Sequence, residues 1–167
     1  RVPFEVKRSS TFNLMVAENA SLEEIDGSTV PVSWETASEE IVSMKKPNTV
    51  MIMGEVDSGK TSFCVYLANE ALKRKLKVAV IDGDLGQSDI GPPSTIGFCQ
   101  ITVPVRDLFE LEAENAYFFG VTSPSSVISK VITRLTSLSN TVSGADVDFL
   151  ILNTDGWVDG EDAIKYK

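Results

Sequence analysis

Along this chain the spacing of apolar residues changes character near residue 48. Before it, they come in short extended pieces, Phe4-Glu5-Val6-Lys7 and Thr11-Phe12-Asn13-Leu14-Met15-Val16. An acidic, glycine-punctuated turn region, Glu18 to Ser28, follows them. The pieces predict two β-strands, too few to stand alone, and so the tail of an N-terminal β domain or an edge packed on what comes next. From Thr36 to Lys46 the chain carries helix-compatible residues, among them Glu39, Glu40, Ile41, Val42 and Met44, and Pro47 ends the run.

From Asn48 onward, strand and helix patterns alternate. Thr49-Val50-Met51-Ile52-Met53 is a short continuous apolar run, as expected of a strand covered on both faces. A loop, 54–59, leads into a helix predicted from Thr61 to Lys75, with Phe63, Leu67, Ala71 and Leu72 near helical spacing and basic residues closing its end. Further strands are predicted at Lys77–Ile81, Ala116–Val121 and Phe149–Leu152, and Val127, Val131, Leu135 and Leu138 share one helix face. This alternation predicts an α/β fold with a mostly parallel sheet flanked by helices, with Thr49–Met53 and Lys77–Ile81 central.

Composition narrows the classes. With 43% hydrophobic and 23% charged residues, the 167-residue chain reads as an ordinary soluble domain. No apolar run approaches the ~18 residues needed to cross a bilayer, so no membrane role is expected. No signal-peptide pattern opens the chain, which points to the cytoplasm, or the nucleus in a eukaryote. Arg1 in first place reads as a piece of a longer protein. The two cysteines, Cys64 and Cys99, lack C-x-x-C spacing and there is no histidine, which excludes a structural zinc site. Cys64 falls on the buried helix face as a small apolar residue. A net charge of −9 argues against non-specific nucleic-acid binding, yet is compatible with a small, locally positive cleft that takes one strand end.

The chemistry sits in the loops after the strands. Gly54-Glu55-Val56-Asp57-Ser58-Gly59-Lys60-Thr61 fits G-x-x-x-x-G-K-[ST], a pattern that arises by chance in roughly one chain in two hundred of this length. Its glycines let backbone N–H groups curl toward phosphate oxygens, and the helix N-terminus that follows adds its positive end. Lys60 is placed to reach the β and γ phosphates, the Thr61 hydroxyl to ligate Mg²⁺, and Ser62 to complete the nucleotide cradle. After the next strand comes Asp82-Gly83-Asp84-Leu85-Gly86-Gln87. Two acids at a strand end face the ligand crevice, where Asp82 and Asp84 can hold the Mg²⁺ shell and one can take a proton from an attacking hydroxyl. The glycine-flanked run Ser88 to Gly97 is read as a stiff loop beside that crevice. Gly120-Val121-Thr122-Ser123-Pro124 and Asn153-Thr154-Asp155-Gly156-Trp157 follow the later strands. Trp157 can either stack on a base or pack on the sheet edge.

These five motifs, in this order from about Val50 to Val158, resemble the polynucleotide 5′-hydroxyl kinases: the kinase subunit of the pre-mRNA cleavage complex, the ribosomal-RNA-processing kinases and their archaeal relatives. Asp84-Leu85-Gly86-Gln87 is the most diagnostic phrase, matching D-x-D-x-G-Q, and Gly91-Pro92-Pro93-Ser94-Thr95-Ile96-Gly97 looks like the archaeal form of the next loop. The resemblance implies transfer of the ATP γ-phosphate to the 5′-hydroxyl of RNA, sometimes DNA, in company with RNA-processing subunits. It implies that Lys60 and Thr61 hold phosphates and Mg²⁺, that Asp84 is the essential acid, and that Gln87, Thr122 and Trp157 clasp the substrate strand. It divides the chain into 1–44, an N-terminal tail and linker, and 45–167, a kinase domain. The family's lid arginines have no counterpart here, since Arg106 and Arg134 match no lid motif, and weak turnover by this stretch alone is therefore expected.

Two other classes remain open on sequence alone. One is an ATP- or GTP-binding regulatory or scaffold protein within an RNA-processing complex. No N-K-x-D or T-K-x-D run supports a guanine switch, and the absence of histidine and of paired cysteines speaks against a metallochaperone. The other is a small-molecule kinase, which the Gly86-Gln87 and Gly156-Trp157 pairs disfavour.

Overall fold

A computed structural model describes residues 26–45, 48–143 and 146–167, with a few isolated positions before 26. The expected strands at Phe4–Lys7 and Thr11–Val16 lie outside the described residues. The described elements are α1 (Val32–Ser43), β1 (Asn48–Ile52), α2 (Lys60–Lys73), β2 (Val78–Asp82), β3 (Thr95–Ile101), β4 (Asn115–Phe118), α3 (Ile128–Ser143), β5 (Phe149–Asn153) and α4 (Glu161–Tyr166). The first helix begins four residues ahead of its predicted start, directly after Pro31, whose extended φ and ψ form its N-cap.

The five strands form one sheet in the order β1-β5-β2-β3-β4. Strands β1, β5 and β2 pair in parallel, β3 pairs antiparallel with β2, and β4 antiparallel with β3. Four of the five strands therefore run the same way, and the α/β expectation holds. Alternate residues of β2 feed two cores. Val78 and Val80 join Phe149 and Ile151 of β5 beneath α1 and α2, while Ala79 and Ile81 join Leu150 beneath Val131, Leu138 and Val142 of α3. All five β2 residues are buried, as the apolar run Val78–Ile81 requires of the first four, and Asp82 is the one charged residue among them. Cys64 is fully buried in the first core, as its place on the helix face implied.

Four expectations need correction. Strand β1 is at the edge of the described sheet, not its centre, because β5 inserts between β1 and β2. Its apolar run is covered on one face only: α3 packs over β2 and β3, leaving Thr49 exposed and Met51 40% exposed. The predicted third strand is shorter than expected and lies on the opposite edge as β4, with Phe118 75% exposed. Between them, residues assigned partly to a loop form β3, a buried strand whose Thr95, Ile96, Phe98, Cys99 and Ile101 have β-favouring side chains that the Gly-Pro-Pro cluster before them obscured. Helix α2 also stops slightly early. Lys75 takes a left-handed φ of 61°, and the N–H groups of Lys75 and Leu76 return to the carbonyls of Leu72 and Ala71, the reverse turn that closes many helices.

The order of the sheet predicts unequal sensitivities. Ile151, fully buried in β5, should lose about 2–5 kcal/mol on truncation to Ala. Met51→Ala on the exposed side of β1 should cost much less, within about 1 kcal/mol. Denaturant unfolding of both variants checks this, and equal losses would contradict the placement of β1 at the edge.

Candidate active site

The parallel register brings three strand ends level. Ile52, Asn153 and Asp82 are paired neighbours across β1, β5 and β2. The loops that leave these ends open side by side, where an open α/β sheet binds its ligand. The Thr154 hydroxyl donates to the Ile52 carbonyl at 2.8 Å and ties two of these exits together.

The first exit is the 54–59 loop. Glu55 and Ser58 close a turn within it, Asp57 takes a φ of 58°, and Gly59 takes 88° as the N-cap of α2. That left-handed step needs a glycine and turns the chain sharply into the helix. No side chain caps α2, so its first N–H groups keep their positive end facing the loop. The Lys60 ammonium donates to the Glu55 carbonyl at 2.7 Å, which folds it back over the loop that it terminates.

The second exit is organised by a buried carboxylate. Asp82 is fully covered. Its Oδ2 accepts from the N–H groups of Asp89 at 2.7 Å and Ile90 at 3.3 Å and from the Ser88 hydroxyl at 3.4 Å. Its Oδ1 accepts from the Asp84 N–H and from Asn153 Nδ2, each at 3.3 Å. Asn153 Nδ2 also reaches the Thr61 hydroxyl at 3.3 Å, so one amide joins the acid motif to the phosphate-loop threonine. Burial pushes the Asp82 pKa up to about 6, against the lowering pull of the N–H bonds from Asp89, Asp84 and Ile90, and the nearby Asp89 charge adds to the rise.

Asp84 lies further out. Its Oδ1 accepts from the N–H groups of Gly86 and Gln87, both at 2.9 Å, which fixes the carboxylate on its own turn. A cavity of about 180 Å³ is lined by Val56, Asp57, Lys60, Asp84, Gly86, Gln87 and Gly156. It thus gathers Lys60, Asp84 and Gln87, which the sequence had assigned to separate roles. Asp82 stays behind the cavity wall. Thr122 is exposed, with its carbonyl 3.1 Å from where a Cβ on Gly86 would lie, so it borders the same turn. Ser62 is exposed in the first turn of α2. Trp157 is half-buried and stacks on Tyr166, with ring centres 5.9 Å apart.

Reasoning from sequence missed Asn153 as a site residue, although its place at a strand end, level with Asp82, was a usable signal. The structure also contains an observation bearing on Mg²⁺. Asn153 Oδ1 is buried without a hydrogen-bond partner among the described residues, on the side chain that bridges Thr61 and Asp82. Hydroxyl, amide and carboxylate oxygens suit a hard, hydrated cation, and no group of three or more His, Cys, Asp or Glu residues able to cage a metal exists among the described residues. These residues fit Mg²⁺ that keeps waters and takes its remaining ligands from phosphate. Arg106 pairs with Glu110 and Arg134 lies over the Tyr117 ring at 4.5 Å, both outside the cavity lining.

The strand-loop-helix geometry and the level strand ends define a P-loop nucleotide-binding protein. Residues 54–167 match the family described as mRNA cleavage and polyadenylation factor CLP1 P-loop, and the chain belongs to that family. The polyribonucleotide 5′-hydroxyl-kinase of Pyrococcus furiosus is 37% identical over 131 residues, covering 78% of this chain and 37% of that protein. The protein of the same description from Methanocaldococcus jannaschii is 36% identical over 123 residues, 74% of this chain and 34% of its own length. The polyribonucleotide 5′-hydroxyl-kinase Clp1 of Gallus gallus is 33% identical over 120 residues, 66% of this chain and 28% of its own. The chain spans about a third of the length of these curated relatives. Among the described residues no helix is long and apolar enough to cross a membrane.

The raised Asp82 pKa has a defined sign. An ordinary aspartate titrates near about 4, so the folded chain holds this proton more tightly than the unfolded one. The stability this contributes is full below about 4 and is lost as pH rises through about 6. The carboxyl ¹³C resonance of Asp82 in the nucleotide- and metal-free protein, assigned by its loss in Asp82→Asn, should titrate with a midpoint near about 6. A midpoint near about 4 would contradict burial as the ruling effect.

Proposed function

We propose that the protein transfers the γ-phosphate of ATP to the 5′-hydroxyl of RNA. The observation that supports this most is the single cavity in which the Lys60 ammonium, the Asp84 carboxylate and Gln87 converge beside the uncapped start of α2. In this reading Gly54 to Ser62 cradle the phosphates. Lys60 leaves the Glu55 carbonyl for a β- or γ-phosphate oxygen and balances the charge that gathers during transfer. Thr61 and Asn153, with the Asp82 carboxylate behind them, would hold hydrated Mg²⁺, which would supply positive charge to the phosphates. Asp82, with both oxygens engaged, acts from the outer shell and as the organiser of its loop.

Asp84 acts as the base. With Oδ1 fixed by two N–H groups, Oδ2 takes the proton of the attacking 5′-hydroxyl as its oxygen bonds to the γ-phosphorus and the bond to the β–γ bridging oxygen breaks. Gln87, Thr122 and Trp157 border this turn or adjoin the cavity-lining Gly156, and so stand where a strand end would enter. A cavity of about 180 Å³ is small against a duplex, and recognition of a single strand end there is compatible with a net charge of −9. The names of the relatives support RNA as substrate and assembly with processing factors as context.

Single-turnover transfer of labelled phosphate to a 5′-hydroxyl RNA by the full-length protein tests this. Asp84→Asn should slow the step by ~10²–10⁴ while ATP affinity falls far less, because the phosphate loop supplies most of the grip. A near-normal rate in Asp84→Asn would remove Asp84 from the chemistry. No transfer by the unaltered full-length protein would favour a nucleotide-dependent scaffold instead.

A further inference from the structure

The segment leaving β5 is fastened from several sides. Asp155 is 6% exposed. Its Oδ1 accepts from the Trp157 N–H at 2.9 Å and from Lys167 Nζ at 3.1 Å, and the same ammonium reaches the Asp155 carbonyl at 3.1 Å. The two charged side chains are 8% and 10% exposed, the most covered ion pair among the described residues. Lys167 Nζ also lies 5.0 Å from the centre of the Tyr166 ring, which stacks on the Trp157 indole with planes 29° apart. Gly156, between these residues, abuts the phosphate loop. A Cβ there would lie 2.4 Å from Val56 Cγ2 and 2.7 Å from the Val56 nitrogen, so only glycine permits the approach.

A covered ion pair is a poor source of net stability, because the cost of desolvating two charges offsets most of their attraction. What this pair does supply is direction. Asp155 accepts from the backbone N–H of Trp157 and from Lys167 at the helix end that bears Tyr166, the ring on which the indole stacks. We propose that Asp155, locked by Lys167, is the positioning residue that presents Trp157 to the incoming polynucleotide strand. The inference rests on the reading that Trp157 meets the strand.

The test uses the full-length protein labelled with 5-fluorotryptophan, the Trp157 ¹⁹F resonance being assigned by its loss in Trp157→Phe. Asp155→Asn/Lys167→Met removes both charges together, so that neither is left buried and unpaired. This double variant should shift or broaden the Trp157 resonance and raise KM for a 5′-hydroxyl oligonucleotide about tenfold, as expected for loss of one base–aromatic stack. Both kcat and ATP affinity should stay within about twofold, since bound strand still meets intact chemistry. Lys167→Arg alone, which keeps the charge, should leave the resonance and KM as in the parent. An unmoved resonance with unchanged KM, even with a lower melting temperature, would show that the pair is merely structural and overturn the proposal. Trp157→Ala separates the two ways of failing. If it raises KM while the double variant does not, the proposal alone falls. If it leaves KM unchanged, the reading of Trp157 falls, and the proposal with it.

Discussion

The arrangement of the site depends on one buried carboxylate. Asp82 ends the central strand β2 with no exposure to solvent, and a charge placed there must be met by donors. It is met by the backbone of residues 84, 89 and 90, by Ser88 and by the Asn153 amide. Those bonds fold the whole 83–90 segment around one point and leave Asp84 projecting where Asp82 cannot. The Asn153 bond carries the constraint across to β5, and from there to Thr61 of the phosphate loop. Removing that carboxylate would leave the N–H groups of residues 84, 89 and 90 without their shared acceptor.

The parallel register supplies the rest. Because Ile52, Asn153 and Asp82 lie level, three short loops of unrelated sequence open onto one cavity without any long-range device. Edge strand β1 is part of this design. It needs only its inner face for packing, and its carboxyl end delivers the 54–59 loop to α2. Within the cavity, Lys60 and the uncapped start of α2 supply positive charge that faces the carboxylates of Asp57 and Asp84.

Most of the phosphate-binding half was legible in the residues themselves. Gly59, Lys60 and Thr61 are dictated by what a phosphate requires of a backbone, so their spacing survives any change in packing. The strands at β2 and β5 were legible because burial on both faces demands an unbroken apolar run. Strand order was not, since nothing local in Thr49–Met53 records that β5 will insert beside it. Strand β3 was obscured by the Gly91-Pro92-Pro93 turn that introduces it. The contacts of Asn153 were equally hidden, because Asp82 and Thr61 lie 71 and 92 residues away in sequence, and the pairing of Asp155 with Lys167 was hidden because it depends on how α4 packs against the segment that leaves β5.

The central claim is that the loop from Gly54 to Thr61 grips nucleotide phosphates chiefly through the Lys60 charge and the start of α2. Titration calorimetry of Mg²⁺·ATP into the full-length protein and its Lys60→Ala variant tests that claim most directly. Lys60 belongs to neither hydrophobic core, so the variant should keep the circular dichroism and melting temperature of the parent while its heat of binding disappears. An ATP affinity unchanged by the substitution would contradict the account.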